Sequence, residues 1–572
     1  MRVFLLLAVL AAAVLGNFAL WALPNRPQPL EAPPGGKLQS VSFAPFRDGQ
    51  SPLTMVYPTK AQIEEDLKLL KDEVMSVRTY TSREGLEHVP ELARKYGIKV
   101  MQGAWIGGKP FLNEEEVLAQ IRLANQYPDV IDKVIVGNEV LLRNDRTVDQ
   151  LIEYIRYVKA HVKQPVTYAD VWEWWLKYPQ VADEVDFITI HLLPYWEDIP
   201  TSVEDAEERI LEAYKAIHER FPGKPILVGE VGWPTAGRTR GPAETGLVNK
   251  ARFINQFVRM AEREGFQYNI VEAFDQGWKS ANEGTVGANW GLFSTDRERK
   301  FSLAGPVIEN PYWVRHFALS SGLAVLAFLA AAATTPGLVS RLRPGRAILL
   351  AVLAQGMASA LVLAAHVAWT ETYYTFETIR AALLFVLQAV LAAAILESAV
   401  LLLTDPSRKS SGRLANLGDA AAILMAAVAV VATVLLVFDG RYRDFPVPDY
   451  LVPGLALPAL GLIRMLLQGG GWGAFTVYGA LTGNPGGPTM APAVLGRPRS
   501  LSELAKVAPA SMAFAILLPL GAAGIVIREG LANTEALQWA GLLVMTAIPS
   551  VAALLVARGG VSKSEGILSA SH

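Results

Sequence analysis

From His316 onward, apolar stretches recur near 316–335, 347–369, 380–403, 418–438, 450–467, 509–527 and 538–557. Each is long enough to cross the ~30 Å hydrocarbon core of a bilayer as a helix. Such runs narrow the choice of fold sharply, because in lipid every backbone N–H and C=O must be satisfied inside a helix or a closed barrel. The loops between them set a direction. Arg341, Arg343 and Arg346 share one loop, and Arg408, Lys409 and Arg413 share another. Arg464, Arg497, Arg499 and Lys506 flank a third, and Arg558 and Lys563 follow the last stretch. The alternate loops hold only scattered Arg380, Arg441, Arg443 and Arg528, and the basic clusters share the side of Arg2. The positive-inside rule then places both termini in the cytoplasm and residues 24–315 outside it.

The chain is 51% hydrophobic and 19% charged, too apolar for one soluble domain and too charged to be membrane throughout. The remaining organisation follows from that mixture. Residues 3–23 are apolar, with Trp21 at an interfacial position. They read as an uncleaved transmembrane anchor (1–23), with a cleaved signal peptide as the rival. Residues 24–37 are a Pro-rich linker. Residues 313–572 form a membrane domain of about seven helices, in which Gly-, Pro- and Thr-rich 468–498 reads as a cytoplasmic loop with an interfacial piece near Trp472–Tyr478.

Between them, 38–312 alternates short apolar runs with amphipathic segments. Candidate strands are 38–46, 74–81, 98–106, 133–140, 165–173, 185–195, 225–233 and 268–276. Helices are expected at 58–72, 84–96, 113–127, 147–164, 202–221 and 245–265, with Thr147 and Thr201 as caps and Gly97 and Gly265 at C-terminal ends. Eight such units predict a (β/α)8 (TIM) barrel, with the fifth connection and eighth helix reduced. A doubly wound open sheet is the alternative, but no Gly-rich phosphate loop follows the first strand. Lys37 to Arg315 holds 34 basic and 41 acidic residues, a mildly acidic balance that argues against nucleic acid as a partner. No cysteine is present, so thiol catalysis and Cys-based metal sites are excluded.

In a barrel, active residues sit at the carboxyl ends of strands. The fourth run, Val134-Ile-Val-Gly-Asn-Glu-Val140, ends in Asn138-Glu139, and the seventh, Ile226-Leu-Val-Gly-Glu-Val-Gly-Trp-Pro234, carries Glu230. Two carboxylates converging on one barrel mouth are what cleavage of a glycosidic bond requires. The two motifs, Val-Gly-Asn-Glu139 and Gly-Glu230-Val-Gly-Trp-Pro234, resemble those of the family 17 β-1,3-glucanases, and the likeness extends over 38–308. The eighth run, Glu272-Ala-Phe-Asp-Gln-Gly-Trp-Lys279, looks more like the bacterial membrane-linked members than the secreted plant enzymes.

The resemblance implies that Glu139 is the general acid/base and Glu230 the nucleophile of a retaining enzyme. It implies carboxyl groups about 5–5.5 Å apart and a Glu139 pKa raised by its negative neighbour. Other strand-end residues are expected to bind substrate or hold the pair. Asn138 is placed to reach the sugar 2-hydroxyl, Arg78 to keep Glu230 ionised, and Tyr195 to donate to Glu230. Tyr80, Asp275 and Lys279 line the same rim, and Trp196, Trp233 and Trp278 are expected to stack on sugar rings. Glu272, within its strand, could equally be structural. His191 reads as a satisfied polar group, so neither a metal nor a cofactor is expected.

The function expected is a glycosidase or transglycosylase acting on β-1,3-glucan, multi-pass in the cytoplasmic membrane with an extracytoplasmic catalytic domain. A glucan synthase or exporter is a candidate partner. The alternatives are a non-catalytic glucan-binding sensor, an accessory subunit of a glucan synthesis or export system, and a transporter with an accessory barrel.

Overall fold

The structure, a computed structural model, describes residues 2–31, 36–407, 412–469, 471–482 and 509–568. These fall into two compact units, residues 27–309 and residues 1–26 with 310–572.

In the first unit, eight parallel strands close into a barrel. They are Leu38–Ser42, Val74–Arg78, Lys99–Ala104, Ile131–Asn138, Val166–Val171, Ile188–Leu192, Ile226–Val231 and Gln267–Ile270. Val41 opposite Ile270 seals the ring. The outward side chains, among them Val77, Val100, Val134, Val136, Ile188 and Val228, are fully buried beneath the helices. That explains why these strands read as near-continuous β-branched runs. The interior is different. One small apolar cluster of Met101, Ile135, Ala169, Phe187 and Leu227 fills it, and other inward positions carry paired polar groups. Ser40 donates to Asn269 (2.7 Å), Asn269 donates to Ser42 and to Gly229 O, and Thr167 meets Thr189 at 3.0 Å. A polar interior satisfied in this way costs little, since each buried group keeps a partner.

Local chemistry sets the helix ends. Thr147 and Gln150 form a capping box, as do Thr59 and Gln62. Gly97 and Gly265 end their helices at φ +68° and +73°. Thr201 caps nothing: its helix begins at Ala206, because Ser202 bonds to Asp205 and holds the preceding turn. The fifth connection is cut to Trp172–Lys177 and Val181–Glu184, and the eighth helix to Ser280–Ala288, interrupted at Gly284. Within the stretch read as a linker, Gln28–Leu30 forms an antiparallel ribbon with Gly305–Val307, so the ends of this unit lie side by side.

Among its described residues the second unit holds seven helices long and apolar enough to cross a membrane: Trp313–Thr334, Pro344–Thr370, Thr375–Thr404, Arg413–Asp439, Pro448–Gln468, Ala510–Glu529 and Thr534–Val556. Each overlaps an expected stretch. The N-terminal helix, Arg2–Ala22, packs against the first two. Its Asn17 donates to Ser320 and Ser321 and accepts from Ser359, each at 2.9 Å. Between the fifth and sixth long helices, Gly471–Phe475 and Val477–Thr482 are short helices with Ala480, Leu481 and Thr482 buried, so this part is a packed element and not a loop. Arg464 Nε fastens it by donating to Ala480 O at 2.9 Å. The rest of the expected loop, with Arg497, Arg499 and Lys506, lies outside the described residues, as do Arg408 and Lys409.

Candidate active site

Glu139 follows the fourth strand directly, in a left-handed conformation (φ +51°), after Gly137 at φ +86°. A non-glycine residue there costs of order 1–3 kcal/mol, and three hydrogen bonds oppose that cost. The Glu139 N–H donates to Ala169 O at 2.7 Å, its carbonyl accepts from the Arg143 N–H at 2.9 Å, and the Leu141 N–H donates to the Tyr168 hydroxyl at 3.0 Å. Tyr168 in turn donates to Asp170. The turn is thus braced from the fifth strand, and the carboxyl is carried to the barrel mouth.

Glu230 arrives from the seventh strand. The ladder shifts register between Ile190 and His191, where His191 comes to lie opposite Glu230. Tyr80 donates to Glu230 Oε1 at 2.8 Å, and Arg78 donates to the same oxygen at 3.2 Å. Arg78, 1% exposed, also donates to Gly229 O (2.7 Å) and to Asn138 Oδ1 (2.6 Å). A Cβ on Gly229 would stand 2.3 Å from Thr189 Cγ2 and 3.4 Å from Arg78 Nη1, so only glycine leaves the guanidinium its place.

His191 joins the two carboxylates. Its Nδ1 lies 2.8 Å from Glu139 Oε1, and its Nε2 lies 3.6 Å from Glu230 Oε1. One oxygen of each glutamate and a ring nitrogen of His191 all fall within 4.8 Å of one another. His and carboxylate are transition-metal ligand types. Here the atoms are already committed, Glu139 to His191 at hydrogen-bond length and Glu230 to Tyr80 and Arg78. The trio therefore reads as a hydrogen-bonded network. Sequence reasoning recognised His191 as a satisfied group and missed that its partner is Glu139. Alternation along the sixth strand turns Thr189 and His191 inward, but only the register shift, which passes over Gly229 in the seventh strand, brings Glu230 opposite the ring.

The electrostatics differ from expectation at Glu139. Burial pushes its carboxyl up, but the hydrogen bond and charge of His191, with Arg143 and Arg78, outweigh burial and hold it below the usual carboxylate range. Burial raises Asp170, on the fifth strand, to about 6, and two further raised carboxyls lie past the eighth strand. Burial lifts Glu272 to about 7 despite Lys279, and lifts Glu283, which also feels Glu139 and Glu230. Burial alone would lower Lys279, but Glu272 and Glu283 overcome it and raise it. Burial also lifts the Tyr80 hydroxyl, with Glu230 adding to the effect. That keeps the hydroxyl a donor.

The other expected contacts divide. Asn138 keeps its amide nitrogen without a protein acceptor among the described residues. Lys279 stands at the rim with Nζ 2.8 Å from Glu272. Trp278 is half-buried beside Phe46, and Trp196 is half-buried with the Arg240 guanidinium 5.3 Å from its ring. Three expectations are corrected. Tyr195 is fully buried and donates to Arg238 O at 2.6 Å, and Tyr80 makes the contact with Glu230 in its stead. Trp233 is also fully buried, with its indole N–H on Glu244 O and its ring against Phe253, so it presents no face to a sugar. Asp275 gives both carboxylate oxygens to Lys300 and one to the Gly291 N–H, which makes it a brace of the eighth loop.

The barrel is similar to known glycosidases in sequence. Residues 40–291 match the family described as the BtgE/BtgC glycoside hydrolase domain. A glucan 1,3-beta-glucosidase of Arthroderma benhamiae is 28% identical over 268 residues, 42% of this chain and 84% of that protein. One from Schizosaccharomyces pombe is 29% identical over 259 residues, 42% of this chain and 79% of that protein. Among solved structures, an active-site mutant of the Rhizomucor miehei beta-1,3-glucanosyltransferase in complex with laminaritriose is 25% identical, with a TM-score of 0.41, covering 46% of this chain and 95% of that one.

Proposed function

We propose that this chain, whose barrel is a glycoside hydrolase domain of the family 17 β-1,3-glucanase type, is a membrane-held retaining enzyme acting on β-1,3-glucan outside the cytoplasmic membrane. The observation that carries the reading is the pair Glu139 and Glu230, brought from the fourth and seventh strands to within 4.8 Å, oxygen to oxygen. That closeness suits a nucleophile in direct reach of the anomeric carbon, and leaves no room for the interposed water of an inverting enzyme.

In this reading Glu230 attacks the anomeric carbon as Glu139 protonates the departing glycosidic oxygen. Tyr80 and Arg78 hold Glu230 Oε1, leaving its other oxygen to attack. His191 Nδ1 lies 2.8 Å from Glu139 Oε1 and orients its carboxyl, and the protonated form of Glu139 is the one that donates to the departing oxygen. Glu139 then takes a proton from the acceptor that releases the sugar. Water as acceptor gives hydrolysis, and a sugar hydroxyl gives transfer, remodelling or branching. The basic loops at Arg341–Arg346 support cytoplasmic termini and an outward-facing barrel, with the bilayer and a glucan synthase or exporter as neighbours.

The test uses the full chain in detergent with a laminari-oligosaccharide. Glu139→Gln and Glu230→Gln are each expected to lower turnover at least ~10²-fold with the circular dichroism spectrum unchanged, and a chelator is expected to have no effect. Longer or branched products identify transfer, and shorter ones alone identify hydrolysis. Unchanged glucan processing by Glu230→Ala would leave a glucan-binding sensor as the better reading.

A further inference from the structure

Trp105 is the first residue beyond the third strand, whose last residue, Ala104, pairs with Val136 on the strand that leads to Glu139. Its ring is 42% exposed, unusual for a large apolar group at the rim of a site, and its indole N–H has no acceptor among the described residues. Yet its position is fixed. The Arg143 guanidinium lies 4.3 Å from the ring centroid and covers one face. Arg143 is itself clamped: it donates to Asn138 O, to Ile106 O at 3.2 Å and to Asp145 at 2.8 Å. Its backbone N–H holds Glu139 O. Gly107 and Gly108 follow the ring, and a Cβ on Gly107 would come within 3.4 Å of the indole nitrogen, so glycine keeps that edge clear.

An ordered aromatic face with a free N–H at its edge matches a pyranose, which offers an apolar CH face and equatorial hydroxyls. A ring that served only to hold Arg143 would not need to stay this exposed. We propose that Trp105, backed by Arg143, is a sugar-stacking platform one strand away from the carboxylate pair, so that the site takes a β-glucan chain of several residues. This rests on the glucanase reading and deepens it. The platform binds a ring other than the one undergoing reaction, and Arg143 couples its position to the Asn138–Glu139 turn.

The test compares wild type, Trp105→Ala and Trp105→Phe, as full chains in detergent, on laminaritriose and on laminarihexaose. In Trp105→Ala, kcat/KM for the hexaose is expected to fall about tenfold more than for the triose, through KM, with Trp105→Phe intermediate. In a Glu230→Gln background, Trp105→Ala is expected to lose retardation in a gel containing soluble β-1,3-glucan, a readout independent of turnover. Equal losses on both substrates would mean that the ring only supports the Glu139 turn, and no loss on either would mean that it touches no sugar. Either result overturns the platform while leaving the glucanase reading in place. A wild type inactive on both lengths overturns that reading, and retention in the gel would then decide the platform alone.

Discussion

His191 concentrates the chemistry of the site in one ring. Its charge and hydrogen bond are the largest influences holding the Glu139 carboxyl down against burial. His191→Phe removes both, so the Glu139 pKa rises and its protonated form persists to higher pH. The alkaline limb of kcat/KM is expected to move to higher pH, measurable as a pH profile, while kcat falls because Glu139 is less well oriented. The depressed carboxyl also has a stability consequence. Its contribution is present above the unfolded value of about 4.3 and disappears as pH falls through the lower native value, so part of the barrel's acid sensitivity should be missing in the variant. Arg78→Lys keeps the charge and loses the fork that joins Gly229, Glu230 and Asn138. A roughly 10–100-fold fall in kcat is expected, because a lysine cannot span three acceptors. Residue identity alone did not reveal these partnerships. Tyr80 and Tyr195 offer the same hydroxyl just beyond the second and sixth strands, and only the structure shows that Tyr80 is the one that reaches Glu230.

At the scale of elements, the turns matter more than the strands they end. Gly137 is tested by Gly137→Ala, where a Cβ would sit 2.6 Å from Val140 Cγ2 at a φ of +86°. The substitution is expected to lower stability by about 1–3 kcal/mol, read as a lower thermal midpoint, and to cost activity as Glu139 is displaced. The order of strands, the reduced fifth and eighth connections and the seven long apolar helices were all legible in the sequence, since hydrophobic period and length report burial directly. The orientation of side chains at strand ends was not. The ladder shifts between Ile190 and His191 and again between Val228 and Val231. A shift of one position turns a side chain to the opposite face. Trp233 and Trp278 follow their strands in similar contexts, yet one is sealed in the core and the other stands half open. Element position therefore predicted the rim, and the bulges decided which residues face it.

For the molecule as a whole, the division at residues 26–27 and 309–310 predicts that each unit keeps its own core. Residues 27–309 produced alone are expected to fold and to retain glucan processing, checked by circular dichroism and product analysis, and failure of both would show that the barrel needs the helical unit. The N-terminal helix belongs to the other unit. Asn17→Leu removes one partner each from Ser320, Ser321 and Ser359. Ser320 keeps Trp21 and Phe317, and Ser359 keeps Gln355, so the cost is the net worth of the lost bonds, about 0.5–1.5 kcal/mol each, and the variant is expected to lose detergent thermostability with activity on soluble oligosaccharide intact. The ribbon of Gln28–Leu30 with Gly305–Val307 adds a mechanical consequence. The chain enters beside Gln28 and leaves beside its partner Val307, so tension on the two tethers would peel the ribbon open from one end, loading its bonds one at a time. The ribbon is then the fuse of the barrel. Pulled apart by its two chain ends, this unit yields at the ribbon first, ahead of the closed ring of strands.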